Sequence, residues 1–111
     1  MDFSTEQKDG LEIVTVEADR IDAAVAINFK DRMREMMSDY SGRMVLDLSK
    51  VSFIDSSGLG AIVAAMKLMP ATGKLELAGL TSAVDKVFRM TRMDSIFTIH
   101  ASLTDAEQHA S

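Results

Sequence analysis

Asp55, Ser56 and Ser57 stand between an apolar segment, Val51-Ser52-Phe53-Ile54, and a glycine pair, Gly58-Leu59-Gly60, that opens an apolar helix. Hydroxyls and a carboxylate at such a turn could attack a substrate, hold a nucleotide or receive a phosphoryl group. Nucleophilic attack needs a base. Asp55, Ser57 and His100 supply the residue types of a triad, but the chain has only 2 histidines and no spacing implies that His100 reaches the serine. The run also lacks the Gly-x-Ser-x-Gly elbow of hydrolases. Gly58-Leu59-Gly60 lacks the third glycine of a dinucleotide loop and the Gly-Lys-Ser/Thr of a P-loop. Two histidines without a nearby carboxylate cluster make no metal site. The sequence therefore points to no catalytic residue, no metal and no cofactor.

Ser57 reads as the residue that starts the helix. A serine oxygen at the N-cap accepts a bond from a backbone N–H two or three positions on, where the helix itself supplies no partner. Those N–H groups and the helix dipole can also hold an anion, so a phosphate on Ser57 is expected to be accommodated there without melting the fold. A plain cap would use the same serine. Gly58 and Gly60 argue for more, because each is roughly 1 kcal/mol worse than Ala inside a helix and is better explained by something approaching the backbone closely.

The elements that must position this turn follow from patterning. Phe3 to Gln7 and Leu11 to Glu17 flank Lys8-Asp9-Gly10, and Asp-Gly between extended runs predicts an antiparallel hairpin. Ile13-Val14-Thr15-Val16 is β-branched throughout, as in a strand inside a sheet. Asp22 is the expected cap of a helix whose apolar face is Ala26, Phe29, Met33, Met36, Met37 and Tyr40, ended by Gly42. Arg43 to Leu48 has the pattern of an interior parallel strand leading to the key turn. The next helix carries Leu59, Ile62, Val63, Met66 and Met69 on one face until Pro70. Its other faces hold Gly60, Ala61, Ala64, Ala65 and Leu68, so it is either buried all round or covers the core with one side and a partner with another.

Beyond it, Lys74 to Ala78 reads as an alternating strand closed by Gly79. Ser82 caps a helix with Val84, Val87 and Phe88 inward, and Ile96 to Ile99 forms a last strand. Thr104 to Glu107 has capping-box spacing for a short terminal helix that frays before Ser111. The sum is an α/β fold: a mixed β-sheet with an N-terminal antiparallel hairpin, packed with about four helices, in one domain over residues 1–111. The loops beyond the carboxyl ends of parallel strands carry sites in such sheets, and Asp55-Ser56-Ser57 follows one.

Composition narrows the partners. The chain has 17 acidic against 12 basic residues and a net charge of −5, with no basic stripe, so nucleic acid is not expected to bind. There are no cysteines, no signal-peptide pattern and no apolar run of membrane-spanning length, which predicts a cytoplasmic protein with no membrane partner.

Asp55-Ser56-Ser57-Gly58-Leu59-Gly60, preceded by Val45-Leu46-Asp47-Leu48 and Val51-Ser52-Phe53-Ile54, resembles the signature of the STAS-domain anti-sigma factor antagonists of bacteria, the anti-anti-sigma factors. Arg20-Ile21-Asp22-Ala23 matches that family's segment before the first helix, and Leu77-Ala78-Gly79-Leu80 with Val84, Val87 and Phe88 its later strand and helix. The resemblance implies a single STAS domain acting as a phosphoprotein in transcription regulation and signal transduction. It places phosphorylation on Ser57 and implies partner switching: the unmodified protein captures an anti-sigma factor that is also a serine kinase of the histidine-kinase-like ATPase fold, and phosphorylation abolishes capture. A PP2C-type phosphatase would reverse it. The docking surface implied is Asp22, Asp55, Ser56, Ser57, Gly58, Leu59, Gly60, Ala61 and Ala64, on a protein that is a monomer or weak dimer and not an enzyme. STAS domains also act as scaffold or non-sigma signalling subunits, as tails of anion transporters and as partners in lipid-transport complexes. The absence of a preceding membrane segment disfavours the transporter role.

Overall fold

A computed structural model describes residues 2–8, 10–38 and 40–108. Strands β1 (Phe3–Lys8) and β2 (Leu11–Val16) pair antiparallel, with Lys8 opposite Leu11; Asp9 of the expected turn lies outside the described residues, and Gly10 has a φ of 77°. The short strand β3 (Arg20–Ile21) precedes helix α1 (Ala26–Met37), strand β4 (Gly42–Asp47), the short strand β5 (Phe53–Ile54) and helix α2 (Ser56–Leu68). Strand β6 (Gly73–Ala78), helix α3 (Ser82–Met90), a 3-10 turn (Met93–Ser95), strand β7 (Ile99–His100) and helix α4 (Leu103–Gln108) complete the chain.

The main sheet has the order β1-β2-β4-β6-β7, with every pair after the hairpin parallel. On one face Val14, Met44, Leu46, Leu75 and Leu77 meet Phe29 and Met33 of α1, Ile62 and Ala65 of α2, and Val84 and Phe88 of α3 in a single apolar cluster. On the other face α4 lays Ala106 and Leu103 over Leu11, Ile13, Val45 and Ala78. That second face also buries charge. Glu76, 1% exposed, accepts two bonds from the Arg43 guanidinium at 2.9 and 2.7 Å, and His100 Nε2 lies 2.7 Å from it. Arg43 in turn donates to the carbonyl of Ala106 at 3.0 Å, tying α4 down. Burial pushes the Glu76 carboxyl up, but the bonds from Arg43 and His100 outweigh it and bring the pKa down to about 2.

Several local expectations are corrected. α1 starts after Val25, and Asp22 instead holds the N–H of Ala24 at 3.1 Å in the turn before it. The helix ends at Met37, so Tyr40 lies beyond it and Gly42 opens β4. β6 does not alternate: α4 covers its second face and the strand is buried from Leu75 to Ala78. Thr81, not Ser82, stands at the cap of α3, with its hydroxyl donating to the carbonyl of Val51 at 2.8 Å. The last strand is only Ile99–His100, because residues 93–95 form a 3-10 turn. Ser102, not Thr104, receives a first-turn N–H of α4, that of Asp105 at 3.1 Å. Ser111, where fraying was expected, lies outside the described residues.

Candidate functional site

Two stretches far apart in sequence run side by side at the start of α2. β3 and β5 pair in parallel, Arg20 opposite Phe53 and Ile21 opposite Ile54, forming a small second sheet that no apolar pattern announced. Bonds from the Ser52 N–H (2.8 Å) and hydroxyl (3.0 Å) to the carbonyl of Asp19 extend the pairing backward. The Arg20 guanidinium lies 4.8 Å from the centre of the Phe53 ring and donates to Asp22 at 3.0 Å. Residues 19–24 and 52–58 therefore form one surface.

Asp55, not Ser57, caps α2. Its Oδ1 accepts from the Gly58 N–H at 2.8 Å, and its carbonyl accepts the first helical bond, from Leu59 at 2.9 Å. Asp and Ser are comparable caps, so the run Asp-Ser-Ser offered three registers. Tertiary packing selects among them. A Cβ at Gly58 would lie 1.9 Å from the Ile21 carbonyl oxygen, so only glycine fits where the backbone of β3 passes directly beneath it. With Gly58 seated there, Asp55 falls three residues earlier, at the capping position.

The second oxygen of Asp55 reaches across the surface and accepts from the Ala23 N–H at 3.1 Å. The Gly58 N–H foremost, and then that of Ala23, hold the Asp55 carboxyl below its usual range against the opposing effect of desolvation. One carboxylate thus joins the first turn of α2 to the turn that leads into α1. Ala23 and the Ile21 carbonyl contribute only main-chain atoms, which no pattern of side chains could have marked.

Ser56 and Ser57 are exposed in the first turn of α2, and Gly60, one turn on, has no neighbour within 4 Å of where a Cβ would stand. Leu59 and Ala64 are half-buried. Two expected surface residues are corrected: Gly58 is buried against Ile21, and Ala61, 2% exposed, packs into the core. The core stripe of α2 is Gly58, Ala61, Ile62 and Ala65, with Leu59, Val63 and Met66 flanking it. Small residues occupy the centre because α2 packs closely against its neighbours, and larger side chains fit only beside the contact.

His100 bonds Glu76 while Asp55 bonds Gly58 and Ala23, so these residues assemble no triad with Ser57. Among the described residues, no group of three or more His, Asp or Glu could hold a metal ion. A cleft of about 420 Å³ is lined by Leu80, Ser82, Asp85, Arg89, Ile99, His100 and Ala101 and does not include Ser57. No helix among the described residues is long and apolar enough to cross a membrane. The arrangement offers a hydroxyl and a fixed carboxylate on a rigid surface, suited to recognition by another macromolecule.

A five-stranded sheet with an antiparallel first hairpin, three helices on one face and an Asp-Ser-Ser-Gly turn opening the second helix fit the expected STAS domain. The chain belongs to that family, whose profile matches residues 2–106. It is 32% identical over 83 residues to the anti-sigma-B factor antagonist of Listeria monocytogenes, covering 74% of this chain and 73% of that one. The crystal structure of an anti-sigma factor antagonist from Mycobacterium paratuberculosis is similar at a TM-score of 0.84 and 25% identity, over 95% of this chain and 89% of that one. An anti-sigma-factor antagonist (STAS) domain protein of Planctomyces limnophilus shares the fold at a TM-score of 0.86 and 15% identity, over 96% of both chains.

Proposed function

We propose that this protein is an anti-sigma factor antagonist controlled by phosphorylation of Ser57. Unmodified, it captures an anti-sigma factor that is also a serine kinase of the histidine-kinase-like ATPase fold; phosphorylated, it releases that partner, and a PP2C-type phosphatase restores it. The surface that docks is Asp22, Ser56, Ser57, Leu59, Gly60 and Ala64, with Asp55 and Gly58 shaping it from beneath. The observation that carries the reading is the exposed Ser57 hydroxyl in the first turn of α2, beside an ionised Asp55 that also bonds the Asp22 segment. The names of the relatives supply the class of partner.

The energetics suffice. A phosphate adds roughly 1.5 to 2 negative charges at neutral pH. Like charges juxtaposed across an interface cost several kcal/mol, and about 5.5 kcal/mol carries an equilibrium from 99:1 to 1:99. Incubation with ATP and lysate of the source cell, read by intact mass, should add one phosphate to the wild type and none to Ser57→Ala. Ser57→Ala should retain capture of the anti-sigma factor and Ser57→Asp should weaken it. Equal affinity of the phosphorylated and unmodified forms for that partner would end the proposal.

A further inference from the structure

We propose that Asp55 is the positioning residue of this surface: by filling the anion-binding N–H groups at the start of α2, it turns a phosphate on Ser57 outward to the partner instead of letting the helix absorb the charge. The inference rests on the reading of Ser57 as the phosphoacceptor and adds how the modification is displayed.

The first turn of a helix has N–H groups without internal partners, and an added anion ordinarily settles on them. Here an anion already occupies the place. Oδ1 of Asp55 takes the Gly58 N–H at 2.8 Å, and the Ser57 N–H also favours the ionised carboxyl. Nor can the carboxylate swing aside without loss, because Oδ2 is held by the Ala23 N–H at 3.1 Å. The helix is also tied in place, since β5 is paired to β3 and the Asp55 N–H donates to the Ile21 carbonyl at 3.4 Å. A phosphate one residue before Gly58 therefore meets a fixed negative charge where a bare helix would offer donors. Its oxygens face solvent or whatever docks there. The same two bonds hold residues 22–24 against the serine turn, so a partner meets both halves in one arrangement.

The test installs phosphoserine at position 57 during translation, so that no kinase is needed, and follows the phosphate by phosphorus NMR across pH. Three proteins are compared: wild type, Asp55→Asn and Asp55→Ser. Both replacements are good N-caps that can keep the Gly58 bond, but neither offers a second acceptor to Ala23, so both are expected to fold. In the wild type the phosphate should titrate at or above the ordinary value of about 6, and in both variants several tenths of a pH unit lower, as the fixed charge opposing it is removed and the helix dipole is left to favour the phosphate dianion. In the unmodified proteins, amide exchange at Ala23 should rise about tenfold or more in both variants while Gly58 keeps its protection. A residue that merely supported the fold would change stability and leave the phosphate titration where it was. The proposal is overturned if the wild-type phosphate titrates well below free phosphoserine, if the variants leave it unmoved, or if Ala23 exchange does not change. A phosphate that behaves as expected but is never found on Ser57 in cells would remove the functional reading and leave the geometric one intact.

Discussion

Gly58→Ala and Gly60→Ala make the same chemical change two residues apart in α2, and the structure assigns them opposite signs. At Gly58 the added Cβ would stand 1.9 Å from the Ile21 carbonyl oxygen, 2.7 Å from its carbon and 3.0 Å from Cγ2 of the same residue. Ordinary contact begins near 3.4 Å. The first turn of α2 must lift by more than 1 Å, and the obstacle is backbone of a paired strand, which cannot rotate away. Overpacking of a well-packed region costs roughly 1–3 kcal/mol, and displacing the turn also stretches the two Asp55 bonds. Against this, Ala is about 1 kcal/mol the better helix former. The net expectation is a loss of about 1–2 kcal/mol, or roughly 4–10 °C in Tm for a domain of this size.

At Gly60 nothing lies within 4 Å of the new methyl, so the helix-propensity gain stands alone and Tm should rise by a few degrees, for about 0.5–1 kcal/mol. Thermal and urea unfolding of the three purified proteins would measure both effects, with the urea slope checked for constancy. If Gly58→Ala is neutral or stabilising, or the two variants move together, β3 does not support α2 as described and the account of the serine turn fails with it.

Acid should unfold the protein through Glu76: its carboxyl is held at about 2 in the folded chain against an ordinary 4.5, so the stabilisation is full above 4.5 and is lost as pH falls toward 2. The shift corresponds to about 3 kcal/mol, and Glu76→Gln should flatten the acid limb of a stability-against-pH curve while lowering stability at pH 7. Arg92, at the end of α3, is held at a φ of 62°, where a side chain is strained; Arg92→Gly should raise stability by roughly 0.5–1 kcal/mol in urea unfolding, and a loss would show that its side chain does more.

The sheet was legible because its strands are short and punctuated by glycine, with β2 rich in β-branched residues, and α1 because Ala26, Phe29, Met33 and Met37 keep a helical period over three turns. What escaped has a common cause. The cap of α2, the pairing of Arg20–Ile21 with Phe53–Ile54 and the burial of Glu76 each depend on a contact more than 20 residues away in the chain. Patterning reports the face an element buries, not which backbone lies under it. Lys74-Leu75-Glu76-Leu77 alternates in polarity as a half-exposed strand would, yet Arg43 and His100 bring partners enough to bury the carboxylate. The larger side chains of α2 suggested a core stripe of Leu59, Ile62, Val63, Met66 and Met69; Ile62 is fully buried, but it shares the centre with Gly58, Ala61 and Ala65 while the other four flank it.

These contacts also bear on what kind of switch the serine turn can be. A phosphate that acted by rearranging the turn would have to break the β3–β5 pairing, two bonds to an ionised Asp55 and the seat of Gly58 on Ile21, each an internal loss to be met before any effect reached a partner. A phosphate that acts by its charge alone breaks none of them. Its cost arises only when a second protein covers it, where desolvation and like-charge contact amount to several kcal/mol. The rigidity of the turn thus favours a modification whose effect is confined to the complex, leaving the stability of the free protein nearly unchanged and the surface ready to dock once the phosphate is removed.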